Sequence, residues 1–323
     1  MRTGARLTLY GLGLVVAFGG AYGVAGAVVP ESAVVGWTEG SEMNEHGEEH
    51  GAASTGAAST GAAGGAASGV KGLALDVDGY ALSTVDAPAG VGDPGELRFQ
   101  VQDHAGTPVT EYTTAHEKDL HLIVVRSDGS QFRHVHPVLD EASGTWSTPW
   151  EWAAAGSYRV FADFTPTGAD ESARTVTRTV QVAGDLVPVE QQPTRTAQVG
   201  GYTVTVDGEL VAGTSSDLTF TVTRDGELVT VLEPYLGAFG HLVALRDGDL
   251  AYLHVHAEGA DPEAGQTTGP DIAFAAEAPT AGRYLLYLDF QVDGQVHTAE
   301  LVLDAAPGAD PTDPEGGSHP EGH

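Results

Sequence analysis

HLIVVRSDGSQFRHVHP, residues 121–137, returns later in the chain as HLVALRDGDLAYLHVHA, residues 241–257. Each copy has an alternating apolar run, a short polar stretch containing Asp and Gly, and a second run. That is the pattern of two antiparallel strands joined by a tight turn. A two-residue loop at Asp128-Gly129 places His121 opposite His136 and Ile123 opposite His134. Opposed residues share a face, and so do alternate residues of one strand, so His121, His134 and His136 gather on one side of the hairpin. A loop at Gly248-Asp249 in the second copy does the same for His241, His254 and His256. The loop chemistry has changed between the copies, yet all three imidazoles keep their spacing and parity.

The repeat extends outward from the hairpins. GELRFQVQDHAG (95–106) is echoed by SDLTFTVTRDG (216–226), and AGSYRVFADF (155–164) by AGRYLLYLDF (281–290). These are short strands rich in Val, Thr, Leu, Tyr and Phe, punctuated by DG, GD, AG and PG pairs. The chain shows no convincing amphipathic helix. The expected fold is all-β: two tandem immunoglobulin-like antiparallel β-sandwiches, spanning 71–185 and 201–305, joined by a linker at 186–200. The Tyr of each AG-x-Y segment is expected to pack at a sandwich corner.

The N-terminal 37 residues read differently. Arg2 and Arg6 precede an uncharged stretch from Leu7 to Val29, long enough to span a bilayer. An uncleaved anchor is favoured over a removed signal peptide, although Ala25-Gly26-Ala27 offers a small-residue cleavage site. In both cases the basic flank stays inside and the β domains are extracytoplasmic, or secreted after cleavage. Residues 38–70, with GAAST twice in tandem, and the acidic tail 306–323 have the composition of disordered segments.

Composition narrows the chemistry. The chain has 45 acidic and 14 basic residues, a formal charge of −31, no Cys, two Met and 13 His. Phosphate binding needs a basic face, so nucleic acid is excluded as a partner. Without Cys there is no thiolate site, and two Met cannot furnish a thioether Cu(I) site. Histidine remains as the ligand for a transition ion, and a three-imidazole set suits Cu(II) or Zn(II) and not Ca(II). His121, His134 and His136 form one candidate site, and His241, His254 and His256 the other. Asp163 and Asp289, at equivalent places in the DF pairs, are candidate acceptors for an imidazole N–H. His116 aligns with Leu236 and is at most an accessory ligand. His104 and His297 read as surface residues, and His46, His50, His319 and His323 lie in the low-complexity segments.

No catalytic signature is present: there is no G-x-S-x-G, no H-E-x-x-H and no Gly-rich phosphate loop. HVH on a β-sandwich is shared with copper–zinc superoxide dismutase, but the bridging His and the separate zinc ligands are missing. The chain is therefore not read as an enzyme.

The segments His116–Arg126, His134–Pro137, Ala155–Pro166, Pro234–Arg246 and Leu250–His256 resemble those of a group of actinobacterial, membrane-anchored exported proteins. The resemblance covers the anchor and both β domains. It implies an extracytoplasmic location and tandem sandwiches, with a loose association with heavy-metal or copper handling. Ala257 replaces the Pro137 of the first copy, a departure expected to alter the strand exit. The leading expectation is a membrane-tethered Cu(II)- or Zn(II)-binding protein for buffering or delivery, with one three-His site per domain. The alternative is an extracellular interaction or envelope-scaffold module with structural or pH-responsive His, binding an extracytoplasmic protein partner.

Overall fold

A computed structural model describes residues 71–168, 172–263 and 265–308, with the backbone alone of His254. These residues belong to one compact unit, Gly65–His323. The expected anchor, the 38–70 tether and the tail beyond 308 lie outside the described residues. Among the described residues no helix is long and apolar enough to cross a membrane.

The first sandwich comprises β1 (Asp76–Val77), β2 (Tyr80–Leu82), β3 (Gly95–Gln102), β4 (Leu120–Arg126), β5 (Arg133–Val135), β6 (Val138–Asp140), β7 (Thr145–Trp150), β8 (Gly156–Phe164) and β9 (Arg174–Val182). One sheet runs β1-β2-β3-β7-β6 and the other β5-β4-β8-β9. The second comprises β10 (Thr196–Val199), β11 (Tyr202–Asp207), β12 (Ser215–Arg224), β13 (Glu227–Leu228), β14 (His241–Arg246), β15 (His254–Ala257), β16 (Asp271–Glu277), β17 (Gly282–Val292) and β18 (Gln295–Ala305). Its sheets run β10-β11-β12-β16-β15, with β13 on β12, and β14-β17-β18. All named pairings are antiparallel, and each domain sets an ABED-type sheet against a CFG-type sheet. The fold is two tandem immunoglobulin-like sandwiches, with β10 drawn from what reads in sequence as linker.

Alternation drives the assembly. In β12, Leu218, Phe220 and Val222 are buried while Asp217 is exposed and Thr219 and Thr221 are half-buried. Both AG-x-Y tyrosines close corners as expected: Tyr158 Oη donates to the Ala154 carbonyl and Tyr284 Oη to the Thr280 carbonyl, each at 2.8 Å.

Strand β4 departs from alternation, because all its residues are buried. Leu120, Leu122 and Val124 enter the first core, whereas Ile123 and Val125 face the second domain. There they join Phe161, Val243, Leu245, Leu285 and Tyr287 in a third apolar cluster. The CFG-type sheets therefore pack on each other, and each such fully buried side chain contributes roughly 1.5–3 kcal/mol to the docking. Reciprocal contacts mark an approximate two-fold relation: Phe132 stacks on Tyr287 at 3.9 Å, and Tyr252 meets Phe161 at 5.6 Å. The 121–137 hairpin tip is docked too, since Tyr287 Oη donates to the Gly129 carbonyl at 2.6 Å. The linker is strapped over the same end, with the Val189 amide on Asp128 Oδ2 (2.9 Å) and Arg283 Nη1 on the Gln191 carbonyl (2.7 Å).

Candidate metal centre

The first hairpin has the expected register by a different route. Leu122 pairs with Val135 and Ile123 with His134, as the sequence predicts. The loop, however, is not the two-residue turn. Arg126 N–H donates to the Ser130 carbonyl and Gly129 N–H to the Arg126 carbonyl, a three-residue loop that closes on Gly129 at φ 78°. That geometry alone shifts the pairing by one, and Gln131, at φ 58°, acts as a bulge that restores it. The imidazoles consequently lie on the Ile123 face, which is the face turned to the second domain.

The second hairpin starts in the expected register, with Arg246 N–H on the Ala251 carbonyl and Leu245 bridged to Tyr252. It then parts. Strand β15 leaves for the opposite sheet, where His254 pairs with Glu277 and His256 with Ala275. In the first copy Pro137, which has no N–H to give a ladder, separates β5 from β6 instead. His241 thus loses His256 as a partner across the hairpin and keeps only Asp289 of β17 opposite it, as His121 has Asp163 of β8. The side chain of His254 lies outside the described residues.

Among the described residues, what results is one cluster that draws on both domains. His121 Nδ1 is 3.1 Å from His134 Nε2 and 3.2 Å from His136 Nε2. His241 comes across from the second domain, its ring parallel to that of His121 within 4° at 5.5 Å and 5.0 Å from that of His134. One ring nitrogen from each of His121, His134 and His241 lies within 4.8 Å of the others. The cluster is buried, with the His134 side chain 1% exposed.

Neighbouring groups fix the tautomers. His121 Nε2 faces the Ala115 carbonyl at 3.2 Å; a carbonyl can only accept, so the proton sits on Nε2 and Nδ1 carries a lone pair. His134 Nδ1 donates to Asp289 Oδ2 at 2.8 Å, which turns Nε2 toward His121. Thr298 Oγ1 donates to the other carboxylate oxygen at 2.6 Å. His134 Nε2 lies 3.1 Å from the acceptor Nδ1 of His121, where a proton on Nε2 makes a hydrogen bond and a bound cation would take the place of that proton. Two nitrogens at about 2.0–2.1 Å from one tetrahedral ion stand about 3.3–3.4 Å apart, close to the observed spacing. Burial, then the adjoining His134, pulls His121 down to about 4 and His136 to about 3; His241 is lowered as well. Neutral imidazoles are the ligand form of histidine.

Of the two candidate carboxylates, Asp289 meets an imidazole and Asp163 does not. Asp163 takes Thr175 Oγ1 at 3.1 Å, and burial raises its pKa. His116 is exposed, its ring 6.1 Å from that of His121 and 5.8 Å from that of His241. His256 is exposed and lines a cavity together with His116, His121, Asp163 and His241. His104 is exposed, as expected. His297 is half-buried against Tyr202 and Phe290, because β18 turns it onto that aromatic pair. The partnership of His134 with a carboxylate 155 positions away was not readable from spacing within one hairpin. The repeated DF pair was the only signal for it.

Residues 75–184 and 197–307 each match the family described as Domain of unknown function (DUF8832). The chain belongs to this family. The two DUF8832 domains coincide with the two sandwiches, so the candidate centre lies between two copies of the same domain. No curated protein matches the sequence. Among solved structures, the adhesin InvE of Yersinia pseudotuberculosis is similar at 13% identity over 72% of this chain and 60% of its own, with a TM-score of 0.21. The fibronectin(III)-like modules of Clostridium thermocellum CbhA are similar at 12% identity over 70% and 94%, with a TM-score of 0.18. Trypsin-activated alpha-2-macroglobulin from Escherichia coli is similar at 12% over 75% and 16%, with a TM-score of 0.24.

Proposed function

We propose that this DUF8832 protein is an extracytoplasmic, membrane-tethered binder of Cu(II) or Zn(II), acting in buffering or delivery. The ion would sit between the domains, on imidazoles of His121, His134 and His241, with His136 beside them. The observation that carries this reading is the convergence of ring nitrogens of His121, His134 and His241 within 4.8 Å of one another, with His134 oriented by Asp289 and His121 by the Ala115 carbonyl. Three nitrogen donors leave a coordination position for water or an acceptor's ligand, as transfer requires. The excess of acidic residues would raise the local cation concentration, an effect that salt screens.

Equilibrium dialysis against Cu(II) and Zn(II) salts, with metal counted per chain, tests it. One tightly held ion is expected, lost in a His121/His134/His136→Ala variant. Equal uptake by the wild type and a folded triple variant refutes the reading and favours an envelope interaction module.

A further inference from the structure

The metal reading raises the question of access to the cluster, because His121 and Asp289 are buried and His134, His136 and His241 half-buried. A cavity of about 510 Å³ reaches it from one side. Its walls include His121 and His241 of the cluster, the half-buried Tyr252, and Asp163, together with the exposed His116 and His256. Neither His134 nor Asp289 lines it. The cavity therefore touches the cluster at His121 and His241 and solvent at two further imidazoles.

We propose that this cavity is the exchange route of the ion, and that His116 and His256 are capture ligands that carry Cu(II) or Zn(II) between solvent and the buried cluster. The inference rests on the proposed metal-binding function. A hydrated ion entering a narrow, partly apolar space must shed water, and an imidazole at the mouth can replace each water lost. His116 is placed for the hand-over, its ring 6.1 Å from that of His121 and 5.8 Å from that of His241.

The backbone supports a dedicated role for this imidazole. His116 sits at φ 49° and Glu117 at φ 64° in a turn closed by Ala115 and Lys118. The second domain has the same turn, with Leu236 at φ 57° between Tyr235 and Ala238. Leu occupies this left-handed position, so the turn does not require His. The turn of the first domain also supplies the Ala115 carbonyl that fixes the His121 tautomer. One loop thus holds a cluster ligand in its metal-binding form and presents an exposed imidazole 6.1 Å away.

Stopped-flow mixing of the full chain with Zn(II), and of the Zn(II)-loaded chain with the chromophoric chelator 4-(2-pyridylazo)resorcinol, gives uptake and release rates; competition with the same chelator gives the equilibrium constant. His116→Leu, which borrows the residue of the equivalent turn, and His256→Ala are combined. Both rates are expected to fall roughly tenfold or more, while Kd stays within about threefold, since a capture ligand lowers the barrier in both directions alike. Unchanged rates overturn the proposal, and a Kd shift beyond that range overturns it by making these residues equilibrium ligands. Absence of Zn(II) binding in the wild type refutes the metal-binding function itself, and is read separately. The thermal midpoint of the metal-free variant confirms its fold, and His116→Gln, a weaker ligand on the same turn, should give intermediate rates.

Discussion

Asp289→Asn separates a positioning carboxylate from a merely buried one. In the wild type, Asp289 Oδ2 accepts from His134 Nδ1 at 2.8 Å and Oδ1 from Thr298 Oγ1 at 2.6 Å. Asparagine has the same shape, and its amide oxygen can still accept from His134. The bond then becomes neutral, at about half the strength of a charge-assisted one. With the ligand less basic, metal affinity should fall by about 10–100-fold, or about 1.4–2.7 kcal/mol. A flipped amide would aim N–H at His134 Nδ1 and hold the ring proton on Nε2, where it blocks a metal ion; the loss would then be larger. Asp163→Asn is the internal control, equivalent in the other domain but bonded to Thr175 and to no imidazole; it should change affinity less than about threefold. Chelator competition at fixed ionic strength measures both. Equal affinity for Asp289→Asn and wild type, or a larger loss in Asp163→Asn, would show that Asp289 does not govern the site.

Further outcomes follow from the interface and the protonation states. Gly129→Ala puts a methyl at φ 78° against Leu285, so the apo protein should lose roughly 1–3 kcal/mol in urea unfolding and bind metal more weakly; unchanged values would mean that the hairpin tip is not docked. Burial would raise the Asp128 pKa, but Arg126, the Val189 amide and Ser130 outweigh it and hold the carboxylate at about 2. Removing that charge in Asp128→Asn should cost on the order of 3 kcal/mol and open the Val187–Gln191 strap to limited proteolysis. His121, at about 4, and His136, at about 3, favour their neutral forms in the fold. Their contribution to stability is therefore full above the unfolded value near 6.5 and falls as pH drops toward 4, as the unfolded chain takes up protons first. The urea midpoint difference between wild type and His136→Leu should shift between pH 7.5 and 4.5 in that sense, and an unchanged difference would contradict the neutral state.

The hairpin register was legible in sequence because parity is conserved along a strand: once Leu122 meets Val135, His134 and His136 share a face with His121. The loop type was not, since a three-residue turn plus a bulge at Gln131 gives the same pairing as a two-residue turn. The tyrosine corners were readable from AG-x-Y, where local sequence and local hydrogen bond coincide. The departure of β15 was hidden because HVH alternates equally well in either sheet, and only the absence of proline at Ala257 hinted at a different exit. Docking of the two domains left its mark in a strand without a polar face, LHLIVVR. Within one sandwich, that run reads as an ordinary buried strand.

The reciprocal contacts of Phe132 with Tyr287 and of Tyr252 with Phe161 are those of an isologous dimer whose halves are joined in one chain. A centre between separate subunits falls apart on dilution. Here the second half arrives at the effective concentration set by a linker strapped to both domains, so assembly of the centre is unimolecular. A single chain at any dilution would still bring Asp289 and His241 to His134, and its affinity for an ion would not depend on finding another copy of itself.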